Sequence, residues 1–291
     1  MAWYLPVRQP VLWEEMRRRL RGARGYWVLL GFGMTLILIL GFLTVITLTG
    51  NGPIDLSRGP KVWPEFGKTL WTWFLIAQLG LLVLISPGIT AGAISTEREK
   101  GTLEAIFLTP LSTLTLAVGK FFGAIGQLLV VVLSGLPVIA TVFSFGGVSP
   151  LEIALGYLVI LGTGLLCAAL GFLASCLFAR TVSATVWAYG FMLFALAGLP
   201  LLFLFLSLID PFFSTSVAES LLMPNPAICY AIYAGDQPLE VWKPLLSMLV
   251  TTIVVLIGCG IALYRLRGSS SLSPHRVSLA VARLNSRAAA K

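Results

Sequence analysis

The chain has 291 residues, of which 57% are hydrophobic and only 11% charged, with a net charge of +8 and a mean hydropathy of +0.93. Soluble domains carry about 25% charged residues, so this composition excludes a cytosolic enzyme, a disulfide scaffold and a disordered protein together. What remains is a membrane protein, built from helices or from a closed barrel because only these satisfy their own backbone hydrogen bonds in lipid.

The positions of the charges select helices. Six stretches contain no Asp, Glu, Lys or Arg, at 25–54, 69–96, 121–151, 153–179, 181–209 and 244–264. Each is long enough for the about 20 residues that cross roughly 30 Å of hydrocarbon. Their unbroken Leu, Val, Ile, Phe and Ala content is unlike the alternating, roughly 10-residue strands of a barrel. The expected fold is therefore all-α, with spans at 26–48, 70–94, 121–143, 153–178, 183–208 and 244–264 in one transmembrane domain, 1–268.

Before the first span, 8–25 reads as a helix lying in the membrane interface. At 100° per residue, Leu12, Trp13, Met16, Leu20 and Ala23 share one arc, Arg17 and Arg24 edge it, and Arg18, Arg19 and Arg21 lie elsewhere. The alternative is a basic flank with no fixed helix. The apolar run that follows is of full span length with no small-residue cleavage site, so it is expected to stay attached as the first span. Residues 50–68, rich in Gly and Pro, are expected to form an external loop. Within it Gly67-Lys68-Thr69 imitates the end of a phosphate-binding loop, but position 62 is Val62 where that motif requires Gly.

The loop after the second span, 95–112, holds Glu97, Arg98, Glu99, Lys100 and Glu104 beside Leu103, Ile106 and Phe107. Thr96 and Glu99 have capping-box spacing, and the three apolar residues make one side of a short helix that ends at Thr109-Pro110. Such a helix suits docking into a groove on another protein; a solvated turn with local Glu/Lys pairs is the alternative.

Farther along, Gly146 and Gly147 predict a tight turn with positive φ between the third and fourth spans. Pro87, Pro137 and Pro200 fall inside the second, third and fifth spans, where each removes a backbone donor and should bend its helix. Gly88 and Gly92, Gly119 and Gly123, and Gly164 and Ala168 have the four-residue spacing that permits close helix packing. Residues 210–243 carry five charges around an apolar run, 220–235, that is broken by Pro224-Asn225-Pro226. We expect Pro211 to Gly235 to form two short helices that dip into the outer leaflet, with a surface amphipathic loop as the alternative. The last segment, 269–291, is a basic tail containing the lone His275.

Sixteen of the twenty Lys and Arg residues lie in the terminal segments, the 95–120 loop and at Arg180. The bias places both termini in the cytoplasm, and attraction to anionic lipid accounts for the net charge without nucleic acid. The spans contain no Asp, Glu, Lys, Arg or His, which argues against a proton-coupled carrier and an intramembrane hydrolase. Cys167, Cys176, Cys229 and Cys259 lack metal or redox spacing. A passive channel, and a membrane scaffold or regulator that recruits a cytoplasmic partner, remain as alternative functions.

The run from Glu97 to Ser112, with Glu97-Arg98-Glu99-Lys100-Gly101-Thr102-Leu103-Glu104-Ala105-Ile106-Phe107 at its head, resembles the loop of the ABC-2 type transporter permeases, as does the following Val118-Gly119-Lys120. The basic N-terminal helix, the Gly146-Gly147 turn and the fourth span ending in Ala174-Ser175 are similar too. The resemblance covers roughly 8–265 and implies the membrane subunit of an ATP-driven bacterial exporter in the inner membrane. It implies an N-terminal elbow helix carrying Trp13, Met16, Arg17, Leu20, Arg21 and Arg24, and a coupling helix at 95–112 that docks on a separate ATP-binding subunit. In that helix Glu97, Arg98, Glu99, Thr102 and Glu104 would make polar contacts, Leu103, Ile106 and Phe107 an apolar anchor, and Gly101 the bend. The segment before the sixth span would be re-entrant. Two permease chains, forming a homodimer, would pair with two ATPases; ATP and Mg would sit on those partners, and this chain would hold no cofactor.

Overall fold

In a computed structural model of the chain, residues 23–49, 62–103, 106, 113–209, 222–234 and 238–271 are described. The regular structure among them is helical: α1 (Ala23–Leu48), α2 (Val62–Glu99), α3 (Thr113–Leu133), α4 (Leu136–Phe145), α5 (Pro150–Leu177), α6 (Thr181–Leu193), α7 (Leu199–Ile209), α8 (Pro226–Ala234) and α9 (Trp242–Ser271). Six segments are long and apolar enough to cross a membrane, at Leu29–Ile46, Val62–Glu99, Thr115–Phe145, Pro150–Leu177, Thr181–Leu206 and Trp242–Leu266. Each matches one predicted span. The interfacial helix before Ala23, the tail after Ser271, and most of the loop before α2 and of the segment before α8 lie outside the described residues.

The second and fourth spans form the centre of the bundle. Half of the central residues in each are buried, whereas in the fifth only Ala184, Ala188 and Met192 are, among the described side chains. They run parallel, since Gly156, Gly164, Gly171 and Ser175 on α5 meet Trp71, Leu82, Thr90 and Ile94 on α2 in the same order. A Cβ on Gly171 would lie 2.0 Å from Thr90 Oγ1, and one on Gly156 2.7 Å from the Trp71 ring. Small residues on α5 therefore bring the two backbones together, where dispersion contacts replace a hydrophobic driving force that lipid does not supply. Of the predicted small-residue pairs, Gly164 and the fully buried Ala168 lie on this seam.

The prolines interrupt the spans in three ways, and near each a polar side chain from elsewhere in the chain donates to a backbone carbonyl. Pro87 stays inside α2; it has no N–H for the Val83 carbonyl, and next to that carbonyl the Tyr189 hydroxyl donates to the Leu84 carbonyl at 2.6 Å. The third span breaks at Ser134-Gly135 and restarts with Pro137 in the first turn of α4. There the Val132 carbonyl accepts from the Gly135 N–H at 3.2 Å and from Gln78 Nε2 at 3.1 Å. In the fifth span a π-helical turn, Phe194–Gly198, precedes Pro200.

That π-turn fixes the external segment. The Leu199 N–H, which an α-helix would give to Ala195, goes to Phe194. Pro200 has no N–H for Leu196. Asn225 Nδ2 donates to both deprived carbonyls, at 2.9 Å to Ala195 and 2.8 Å to Leu196, while its Oδ1 accepts the Ala227 N–H at 2.8 Å and caps α8. Asn225 is 3% exposed, and it meets the span roughly 20 Å along from Thr181 at 1.5 Å per residue. The predicted turn at Pro224-Asn225-Pro226 thus lies deep against the bundle. Beyond it, Tyr233 Oη accepts from Trp71 Nε1 at 2.8 Å and donates to the Glu152 carbonyl at 2.9 Å, seating α8 on α2 and α5.

Two expectations are corrected. Val62–Lys68, read as external loop, is the first part of α2, with Val62, Phe66 and Gly67 buried. These residues pack on the Gly146-Gly147 turn, where Phe145 stacks on Trp63 at 6.1 Å, and this burial outweighs the local Pro and Gly content. Thr96 and Glu99 form no capping box, because α2 continues through them to Glu99; the capping box is at Ser149 and Glu152, opening α5.

Both glycines of the turn adopt the predicted positive φ, +79° and +83°. A Cβ on Gly147 would also fall 1.9 Å from the Pro64 carbonyl oxygen. Gly147→Ala should lower the thermal unfolding midpoint in detergent by more than the about 1–2 kcal/mol of a left-handed residue alone, whereas Gly258→Ala, with open space around its Cβ, should leave it unchanged. Asn225→Ala should cost about 2 kcal/mol or more by uncovering two buried carbonyls, read in the same melt.

Candidate functional site

The charged loop begins where α2 ends, and the chain's local chemistry sets that end. Gly101 has φ +70°. Its N–H donates to the Arg98 carbonyl at 3.2 Å, and the Thr102 N–H donates to the Glu97 carbonyl at 2.9 Å. This bond pair is a Schellman motif, which needs a residue tolerant of positive φ at its turn. Thr102 Oγ1 adds a bond to the Glu97 carbonyl at 3.2 Å. The chain then folds back, with Leu103 only 5% exposed and Ile106 packed against the core.

Three sets of contacts tie this end of α2 to three other spans. Glu97 Oε1 pairs with Lys120 Nζ of α3, and their side chains are 15% and 4% exposed. A nearly buried ion pair of this kind is held by geometry, because neither charge can return to water. Glu97 Oε2 has no hydrogen-bond partner among the described residues. On α5, Ser175 Oγ accepts from the Ile94 and Ser95 N–H groups at 2.8 and 3.0 Å. Past the uncharged run, the exposed Glu99 Oε2 accepts from the Thr181 hydroxyl at 2.6 Å and the Thr181 N–H at 3.0 Å. It thereby serves the free donors at the start of α6, where a carboxylate also suits the helix dipole. These two bonds, the hydroxyl's first, hold the Glu99 carboxyl below its ordinary range.

The predicted site residues Glu97, Arg98, Glu99, Gly101, Thr102, Leu103 and Ile106 therefore cluster at one end of the bundle. Glu97, Glu99 and Leu103 are engaged within the chain, and Arg98 is half-buried. Glu104 and Phe107 lie outside the described residues, as do Trp13, Met16, Leu20, Arg17 and Arg21; Arg24 falls in the first turn of α1. Sequence reasoning missed Lys120, Ser175 and Thr181 as members of the site. Lys120 was detectable in principle, as a lone cation against Phe121 and Phe122 that calls for a partner. The Gly67-Lys68-Thr69 imitation of a phosphate loop lies inside α2, so its N–H groups belong to a helix and not to a phosphate cradle.

A family model described as ABC-2 family transporter protein matches residues 66–261. The match runs from the buried start of α2 to the last turns of the sixth span and includes the whole charged cluster. No curated protein matches the chain.

Lys120→Met should destabilise the purified protein by about 3 kcal/mol, since it strands a buried carboxylate, and adding Glu97→Leu should recover most of the loss. Thermal melts of the two single variants and the double variant would read the coupling.

Proposed function

The chain belongs to the ABC-2 transporter family, and from that premise we propose that it is the permease subunit of an ATP-driven exporter, working with a separate ATP-binding subunit through residues 95–112. The observation that carries this reading is the triple tether at the end of α2. A displacement of the loop reaches α3 through Glu97 and Lys120, α5 through Ser175, and α6 through Glu99 and Thr181. Three spans would then respond together.

The chemistry stays on the partner. ATP and Mg bind the ATP-binding subunit, whose closure supplies the work that the uncharged runs of this chain have no titrating group to supply. With Glu97, Glu99 and Leu103 occupied internally and Ile106 packed on the core, Arg98, Thr102, Glu104 and Phe107 form the docking surface. The interfacial helix, through Trp13, Met16, Leu20, Arg17, Arg21 and Arg24, rests on headgroups and follows the tilt of the first span. Two copies of the chain frame the path between them, in a bacterial inner membrane with both termini cytoplasmic. The α8 segment, seated on the fifth span by Asn225, forms the re-entrant part of the outward end.

Phe107→Ala combined with Glu104→Lys should abolish the permease-stimulated ATP hydrolysis of the co-purifying ATP-binding subunit while membrane insertion of the chain is unchanged. Undiminished stimulation in the double variant would contradict the docking role. Glu99→Lys is expected to act differently, uncapping α6 and lowering stability as well.

A further inference from the structure

The third and sixth spans both pack on α5 and also meet each other, and a furrow with α5 as its floor runs between them. Near the charged loop the furrow is a cavity of about 500 Å³, walled by Phe121 and Phe122 of α3 and Ile257, Gly260 and Tyr264 of α9, over Phe172 of α5. A second cavity of about 330 Å³ continues it away from the loop, between Leu129 and Val132 of α3 and Leu245 and Leu249 of α9. The floor is rigid and dry: Phe121 and Phe172 are 4% and 1% exposed, with ring centroids 5.5 Å apart. The rim residues Phe122, Ile253, Ile257, Ile261 and Tyr264 are all exposed.

The dimensions decide what fits. From Ile253 to Tyr264 the first cavity runs roughly 16 Å at the helical rise, about half of a roughly 30 Å hydrocarbon core and so one leaflet. The furrow is apolar along that length and open on its outer side, so an extended alkyl chain can lie along it. At the mouth the apolar lining ends in Tyr264, the next residue is the exposed Arg265, and no acidic residue follows Glu240 in the chain.

We propose that the furrow between the third and sixth spans holds an acyl chain of an anionic phospholipid in the leaflet facing the charged loop, its phosphate beside Tyr264 and Arg265. The bound chain fills the furrow between α3 and α9 over Phe172. This site does not depend on the exporter reading, because lipid retention is measured without an ATPase or a cargo.

Gly260 supplies a clean test, since it lines the furrow and a Cβ there meets nothing within 4 Å. The full chain, purified in mild detergent, is offered phosphatidylglycerol or phosphatidylethanolamine and examined by native mass spectrometry. The wild type should retain phosphatidylglycerol in preference by roughly fivefold, the scale of one basic residue at an anionic surface. Gly260→Phe, or the milder Gly260→Leu, should lose the lipid with an unchanged melting midpoint, and Arg265→Glu should keep lipid but lose the preference. Equal retention of the two lipids by the wild type, retention of detergent alone, or full retention by a folded Gly260→Phe variant would overturn the proposal.

Discussion

The structure depends on one constraint: a backbone carbonyl inside an apolar bundle must keep a donor, because no water replaces a lost one. Three prolines remove donors from three spans, and beside each of them a side chain from elsewhere in the chain donates to a backbone carbonyl; at Pro200 the carbonyls served are the deprived ones themselves. Tyr189 of the fifth span serves the second at Leu84, Gln78 of the second serves the third at Val132, and Asn225 serves the fifth at Ala195 and Leu196. Interruptions that would weaken isolated helices become the points where helices recognise each other. The same reasoning explains how an Asn sits 3% exposed among apolar side chains: both of its N–H bonds and its oxygen are used.

Packing and polarity divide the remaining work. Along the seam between α2 and α5, glycines bring backbones close enough that added methyl groups would collide, so the seam behaves as one unit. At its charged end, Ser175 closes the seam with two hydrogen bonds, and Glu97 and Glu99 extend the attachment to α3 and α6. The peripheral spans leave most of their apolar side chains uncovered by the rest of the chain, as Val182, Val186, Leu193 and Leu208 of the fifth span illustrate. The rigid part and the movable part of the molecule follow from this division.

The spans are legible in the sequence because their signal is long-range and uniform: a run without charge has few alternatives to a transmembrane helix. Positive φ at Gly146 and Gly147 is legible for the same kind of reason, a residue type with one common use at that place. What escapes is the identity of distant partners. Pro200 announces a missing donor, but nothing near it in the chain points to Asn225, 25 residues later. Thr96 and Glu99 have the spacing of a helix start, yet Gly101 lets α2 run three residues past Thr96 before it stops. Val62–Lys68 reads as loop from its Pro and Gly, and becomes helix only because Phe66 and Gly67 find a surface to cover.

The Asn225 contact also limits how the fifth span can move. Sliding α8 away from the π-turn would expose two carbonyls to a medium without donors, at about 1–3 kcal/mol each. The cheaper motion carries the span and the segment as a single lever. The span is held at one end by Glu99 at Thr181 and at its middle by Asn225, beyond which α8 leans on Trp71 and Glu152 through Tyr233. The fifth span thus links the Glu99 end of the bundle to α8 with no charged side chain between Thr181 and Ile209.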